Sequence, residues 1–270
     1  MVQMTDDNRE IAALGFVGTG TITSAIITGL CAEPAPRYRI RVSPRNAEVA
    51  ARLARTFRAV TIAESNQAVV DSSDVVFLAI RPQVAAEVMG TLRFRAEQRI
   101  ISLVATYSRA RVAALVGPVR SVTCAVPQPT AAARLSPTPI FPPDPFVAGL
   151  FNRLGTAFEM GSESDFRSLF ATTAAMASFF SLLDTLASWL ASRGIPADLA
   201  RSYVSTMFRG LADVPMRSAL PFDQLAAEFK TRGGLNEQFA NELARHGVFG
   251  ACSGALDAIL ARIAKSENPA

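Results

Sequence analysis

Gly18-Thr19-Gly20-Thr21-Ile22-Thr23 carries the sharpest chemical signal in the chain. It follows an apolar run at 11–17 and opens a helix-like stretch at 21–31. A glycine turn between a strand and a helix is the setting in which a dinucleotide pyrophosphate binds. Gly18 permits the tight turn. Gly20, lacking a side chain, lets the backbone approach the phosphates. The amides of Thr21 and Ile22 then face the anion with the helix dipole behind them. Thr19 lies between the two glycines, and Thr23 stands where many such turns carry Gly or Ala. The alternative is a glycine turn with a purely structural role.

Roughly twenty residues further on, where NAD-selective sites place a carboxylate for the ribose hydroxyls, the chain reads Val42-Ser43-Pro44-Arg45-Asn46. Ser43 and Asn46 are hydrogen-bond donors. Arg45 pairs well with a 2′-phosphate, or is simply an exposed arginine at a helix start. This favours NADP(H), with NAD(H) as the alternative.

The elements that position these residues alternate. Apolar strand-like runs at 11–17, 39–42, 59–62, 75–80, 100–105 and 121–125 are separated by helical patterns at 21–31, 47–56, 83–92 and 109–115. Near-continuous apolar strands between helices predict a parallel sheet covered on both faces. Seven prolines between 127 and 145 interrupt regular structure and predict an ordered loop with at most one short strand, either a connector or a cleft wall. Beyond 163 the pattern becomes helical throughout, with helices at 164–192, 198–211, 221–230, 235–246 and 254–265. The first of these is so poor in charge that it needs cover on more than one side, which a subunit interface would supply.

Composition excludes several classes. The 270 residues are 50% apolar and 19% charged, enough for a sizeable core. One histidine, His246, and three scattered cysteines rule out a histidine relay, a multi-histidine metal centre and a disulfide scaffold, so no metal is expected. The net charge of +4 comes from 25 arginines and two lysines interleaved with acids, without the basic stripe of a nucleic-acid binder. The 22 uncharged residues at 11–32 are too rich in glycine and threonine for a membrane span. The 16 at 168–183 fall short of the roughly 20 a span needs. The opening MVQMTDDNRE lacks a basic leader region. A soluble cytoplasmic protein, with no nucleic-acid or membrane partner, is the expectation.

Taken in order, several segments resemble the pyrroline-5-carboxylate reductase family. Ile11-Ala12-Ala13-Leu14-Gly15-Phe16-Val17-Gly18-Thr19-Gly20 is similar to its opening, and Ser43-Pro44-Arg45-Asn46 to its 2′-phosphate loop. Asp74-Val75-Val76-Phe77-Leu78-Ala79-Ile80-Arg81-Pro82-Gln83 resembles its D-V-V-x-L-A-V-K-P-Q segment, with Arg81 in place of the usual Lys. Ile101-Ser102-Leu103-Val104-Ala105, Gly194-Ile195-Pro196 and Thr231-Arg232-Gly233-Gly234 resemble its next strand, its G-L-P turn and its S-P-G-G loop.

The resemblance implies an α/β Rossmann-type N-terminal domain (1–162) binding NADP(H), and an all-α C-terminal domain (163–270) that dimerises. It implies reduction of the C=N bond of a cyclic imino acid, by family default pyrroline-5-carboxylate to proline. It assigns cofactor contacts to Gly18, Thr19, Gly20, Thr21, Ile22, Ser43, Arg45, Asn46, Ala79, Ile80, Arg81, Pro82 and Gln128. The last lies in Val126-Pro127-Gln128-Pro129-Thr130-Ala131, a changed form of the family's M-P-N-T-P-A loop. The implied partners are a small imino acid and a second copy of the chain, in a dimer or larger assembly.

The substrate half departs from that family. Its S-G-S/T-G-P-A-Y helix start corresponds to Thr172-Thr173-Ala174-Ala175-Met176-Ala177-Ser178, and the Thr-Thr after its glycine pair becomes Leu235-Asn236. The candidate substrate residues are Thr172, Thr173, Gly233, Gly234, Leu235, Asn236, Glu237 and Gln238. Glu237 and Gln238 suit an amine or imine, or merely cap the helix. Asp184 matches a family Glu position and is expected to be a buried, paired acid. No catalytic residue is assigned. Two other readings remain: a non-catalytic NADP-binding regulator, and a reductase of another imine or carbonyl compound.

Overall fold

The computed structural model describes residues 12–32 and 38–265. The opening MVQMTDDNRE and Ile11 lie outside them. The chain divides into two units, one running to Phe170 and taking in Arg262 onward, the other Ala171–Ala261.

The first unit is built on an eight-stranded sheet of order β3-β2-β1-β4-β5-β6-β7-β8. Its strands are β1 (Ala12–Val17), β2 (Tyr38–Val42), β3 (Val60–Ile62), β4 (Val75–Leu78), β5 (Arg99–Ser102), β6 (Ser121–Ala125), β7 (Ser136–Phe141) and β8 (Gly155–Glu159). The helices between them are α1 (Thr21–Cys31), α2 (Ala47–Thr56), α3 (Asn66–Asp71), α4 (Pro82–Gly90), α5 (Arg109–Leu115) and α6 (Pro145–Asn152). Strands β1 to β6 are all parallel.

The alternation of side chains along each strand explains why both faces are covered. Leu14, Phe16, Val75, Phe77 and Ile101 point to one core with Ile26, Leu53 and Phe151. Val17, Val76, Leu78 and Ile100 point to the other with Val70, Met89 and Val112. Phe16 and Phe77, partners in the β1–β4 register, stack at 4.4 Å. Each fully buried side chain of this size stabilises the sheet by about 1.5–3 kcal/mol.

The proline-rich passage holds more structure than the sequence predicts. A 3-10 turn at Pro129–Ala133 leads into β7, which runs antiparallel to β6 and parallel to β8. Strand β7 contains Pro137 and Pro139, which lack donors. Its pairing with β6 is confined to Cys124↔Phe141 and Ala125↔Ile140, so few donors are needed there. The remaining elements, α3, α6 and β8, were not anticipated. The first two are single short helices, capped by Ser65 and Asp144.

The second unit is helical. The predicted 164–192 helix is two, α7 (Glu163–Thr172), which lies mostly in the first unit, and α8 (Ala175–Ser192). Then come α9 (Ala197–Arg217), α10 (Phe222–Glu228), α11 (Leu235–Arg245) and α12 (Val248–Lys265). Helix α9 continues six residues past its predicted end, with Pro215 in its last turn. The proline ring removes the one bond that this position would donate to the Leu211 carbonyl, and the helix ends two residues later. No residue of α8 is buried in the single chain, and Phe180 and Trp189 are 66% and 57% exposed. Among the described residues, the stretch 163–192 is long and apolar enough to cross a membrane by length and composition. The uncharged core at 168–183 alone is too short for a span.

Candidate functional site

The strand order reverses between β1 and β4, so the loops leaving their carboxyl ends diverge and leave a crevice. The glycine turn is there. Gly18 has φ +103°, and a Cβ on it would lie 2.2 Å from the Ala79 carbonyl oxygen in the loop leaving β4. The two loops pass so closely that only glycine fits. Gly20, the N-cap of α1, has open space where its side chain would be. No side chain caps α1 and no acid occupies its first turn, so its amides and dipole are available to an anion. Thr21 is exposed and Ile22 half-buried. These residues fit a dinucleotide pyrophosphate.

Three buried hydroxyls hold the turn. Thr23 donates to the Gly18 carbonyl at 2.7 Å. Ser43 accepts from the Gly18 amide at 3.0 Å, and Thr19 donates to the Ser43 carbonyl at 2.7 Å. Thr19 and Ser43 also meet hydroxyl to hydroxyl at 3.0 Å. The sequence suggests Ser43 as a donor to the cofactor. The structure instead buries it completely beneath the turn, with its hydroxyl committed to protein groups. The spacing of Ser43 from the strand gave no sign of which way it would face.

Arg45 is exposed at the start of α2 and makes no ion pair among the described residues. Asn46 caps that helix, its side-chain oxygen accepting from the Val49 amide at 3.4 Å. On the β4 side, Ala79 donates its amide to Val17, Ile80 is buried, and Arg81 is the exposed N-cap of α4 ahead of Pro82. The Pro82 carbonyl accepts from the Tyr107 hydroxyl at 3.1 Å. Gln128 opens the 3-10 turn and donates its amide to Ser136. That turn packs on α1, where the Ala131 carbonyl leaves no room for a Cβ on Gly29. Thr23 and Gly29 are the residues of this region that the sequence reading left without a role. A hydroxyl in the third fingerprint position was the available signal for Thr23.

In the second unit, Gly233, Gly234, Asn236 and Glu237 come together at the start of α11. Gly233 has φ +73° and Gly234 is the N-cap. The Glu237 carboxylate accepts from the Gly233 amide at 2.7 Å, and the Asn236 side chain donates to the Phe229 carbonyl at 3.0 Å. Both polar groups brace their own loop. Gln238 is exposed, and Leu235 is 85% exposed. Thr172 closes α7 and Thr173 lies in the turn before α8. Asp184 differs from expectation: it is exposed in the single chain, lining a groove between α8 and α9 with Arg201, and makes no ion pair among the described residues. Among the described residues nothing buries it. His246 ends α11 beside Glu242. No cluster suited to a metal ion occurs among the described residues.

Two family models match the chain. Residues 13–106 match "NADP oxidoreductase coenzyme F420-dependent", and residues 163–266 match "Pyrroline-5-carboxylate reductase dimerisation". The pyrroline-5-carboxylate reductase of Pseudomonas aeruginosa is 25% identical over 262 residues, covering 93% of this chain and 96% of its own. That of Haemophilus influenzae is 26% identical over 232 residues, covering 82% and 85%. The solved 1-pyrroline-5-carboxylate reductase of Streptococcus pyogenes superposes with a TM-score of 0.82 at 27% identity, covering 93% of this chain and 98% of its own. The dimerisation model, the curated relatives and the solved structure all point to the pyrroline-5-carboxylate reductase family. The chain's α/β Rossmann-type and helical halves are those of the family.

Proposed function

We propose that the protein uses NADPH to reduce the C=N bond of a cyclic imino acid, with pyrroline-5-carboxylate to proline as its reaction. A hydride adds to the imine carbon and a proton to the nitrogen, giving CH–NH. The cofactor supplies the hydride, and the chain supplies binding and orientation. The observation that carries the reading is the glycine turn wedged against Ala79, with an uncapped α1 and an exposed Arg45 nearby in the chain's fold. The α1 amides hold the pyrophosphate and Arg45 holds the 2′-phosphate, which makes NADPH the preferred donor over NADH. Arg81, Pro82 and Gln128 line the cofactor from neighbouring loops.

The division at 1–162 and 163–270 is part of this reading. The first part takes the cofactor and the second takes the substrate, through Thr172, Thr173 and the loop from Gly233 to Gln238. A second copy of the chain covers the apolar face of α8. That accounts for a helix that is exposed in the single chain yet almost uncharged. The protein works in the cytoplasm.

One observation favours a second reading, reduction of an imine without a carboxylate. The Glu237 carboxylate already occupies the Gly233 amide and puts negative charge in the first turn of α11. The test is NADPH oxidation with pyrroline-5-carboxylate, pyrroline-2-carboxylate, piperideine-2-carboxylate and an uncharged cyclic imine. Turnover of the first supports the main reading. Turnover of the uncharged imine alone supports the second. Tight NADPH binding with no turnover of any of them contradicts both and leaves a non-catalytic role.

A further inference from the structure

The hydroxyls of Thr19 and Ser43 form a closed, directional network. A carbonyl only accepts, so the Thr19 proton goes to the Ser43 carbonyl at 2.7 Å. Thr19 must then accept from the Ser43 hydroxyl at 3.0 Å, which leaves the Ser43 oxygen to accept from the Gly18 amide at 3.0 Å. Thr19 is 4% exposed and Ser43 0%, so both hydroxyls are sheltered from water. Such a network is stiff, because breaking one member strands buried polar groups.

Its position matters more than its stability. One end is the amide of Gly18, two residues before the N-cap of α1. The other end is the backbone of Ser43, two residues before Arg45, with Pro44 restricting the chain between them. The Ser43 amide is also tied to the Phe16 carbonyl at 3.0 Å, continuing the β1–β2 ladder. The pyrophosphate-facing helix start and the exposed arginine therefore hang from one buried anchor.

We infer that Thr19 and Ser43 are positioning residues that fix the distance between the pyrophosphate subsite and Arg45, and so set the preference for NADPH over NADH without touching the 2′-phosphate. The inference rests on the proposed role of Arg45. Loosening the anchor blurs the placement of Arg45 relative to the turn. That lowers the affinity for ligands that bridge both subsites through a 2′-phosphate more than for those that lack it.

The experiment measures dissociation constants by calorimetry for NADPH, NADH and adenosine 2′,5′-bisphosphate, with melting temperatures alongside. The variants are Thr19→Val, which keeps the shape and removes the hydroxyl, Thr19→Ser, which restores it, Ser43→Ala and Arg45→Gln. Thr19→Val and Ser43→Ala are expected to weaken NADPH and the bisphosphate by about 10-fold and NADH by about 2-fold, with Thr19→Ser near the parent protein. If Arg45→Gln reduces the NADPH-to-NADH ratio while Thr19→Val and Ser43→Ala leave it unchanged, the positioning role is overturned and the Arg45 reading survives. If Arg45→Gln leaves the ratio unchanged, the Arg45 reading fails and the inference fails with it. Should Thr19→Val not fold, Ser43→Ala decides the matter alone.

Discussion

The Ala79 carbonyl oxygen lies 2.2 Å from the point where a Cβ on Gly18 would sit. Backbone meets backbone at the switch point of the sheet, so neither side can give way by rotating a side chain. Gly18 also has φ +103°, which strains any other residue. Gly18→Ala is expected to cost on the order of 3 kcal/mol of stability, and to weaken NADPH binding by about 100-fold. Thermal melts and NADPH fluorescence titration check both. Gly20→Ala is the contrast. Its side-chain space is open in the protein, so stability should hold while NADPH binding falls.

Glu237 tests the substrate side. Its carboxylate accepts from the Gly233 amide, and a negative charge in the first turn of α11 opposes any anion placed there. Glu237→Gln keeps an oxygen acceptor and removes the charge. The KM for pyrroline-5-carboxylate should fall by about 2- to 5-fold, with little change for an uncharged imine. Steady-state kinetics on the two substrates reads the difference.

Cys124 gives a pH prediction. Burial is the main cause that pushes its thiol up to about 12, with nearby Glu163 acting in the same direction and Arg109 and Arg167 against it. The folded chain holds a proton that the unfolded chain releases near the ordinary value of 9.0. Stability is therefore undiminished below that value and falls as pH rises through the window from 9.0 to about 12. The slope from this group is at most about 1.4 kcal/mol per pH unit. Burial moves Cys31 in the same direction. Urea melts between pH 8 and 11 should show a shallower slope for Cys124→Ala than for the parent.

Most of the Rossmann half was legible because its signals are local. Apolar runs such as Val75-Val76-Phe77-Leu78 are buried on both faces, and Gly18 and Gly20 punctuate a strand and a helix. Strand β7 is legible only as the one short strand the proline-rich passage allows, and β8 is not legible at all. Pro137 and Pro139 speak against a strand in local terms, and only the partners on either side explain why β7 exists. The direction in which a polar side chain faces was equally hidden. Ser43 and Arg45 stand two apart on one loop, yet the first is fully buried under the turn and the second is exposed. Glu237 and Asn236 look like ligand groups by type, and their internal bonds to Gly233 and Phe229 depend on the curl of a loop that no spacing reveals. For Asp184 the sequence predicts burial that the single chain does not provide.

The proposed reaction delivers a hydride from the nicotinamide to the imine carbon. The most direct test supplies NADPH deuterated at the transferable position together with pyrroline-5-carboxylate, and analyses the product by mass spectrometry and NMR. The expected product is proline carrying one deuterium, located at C5. Tight binding of the deuterated cofactor without labelled proline would contradict it.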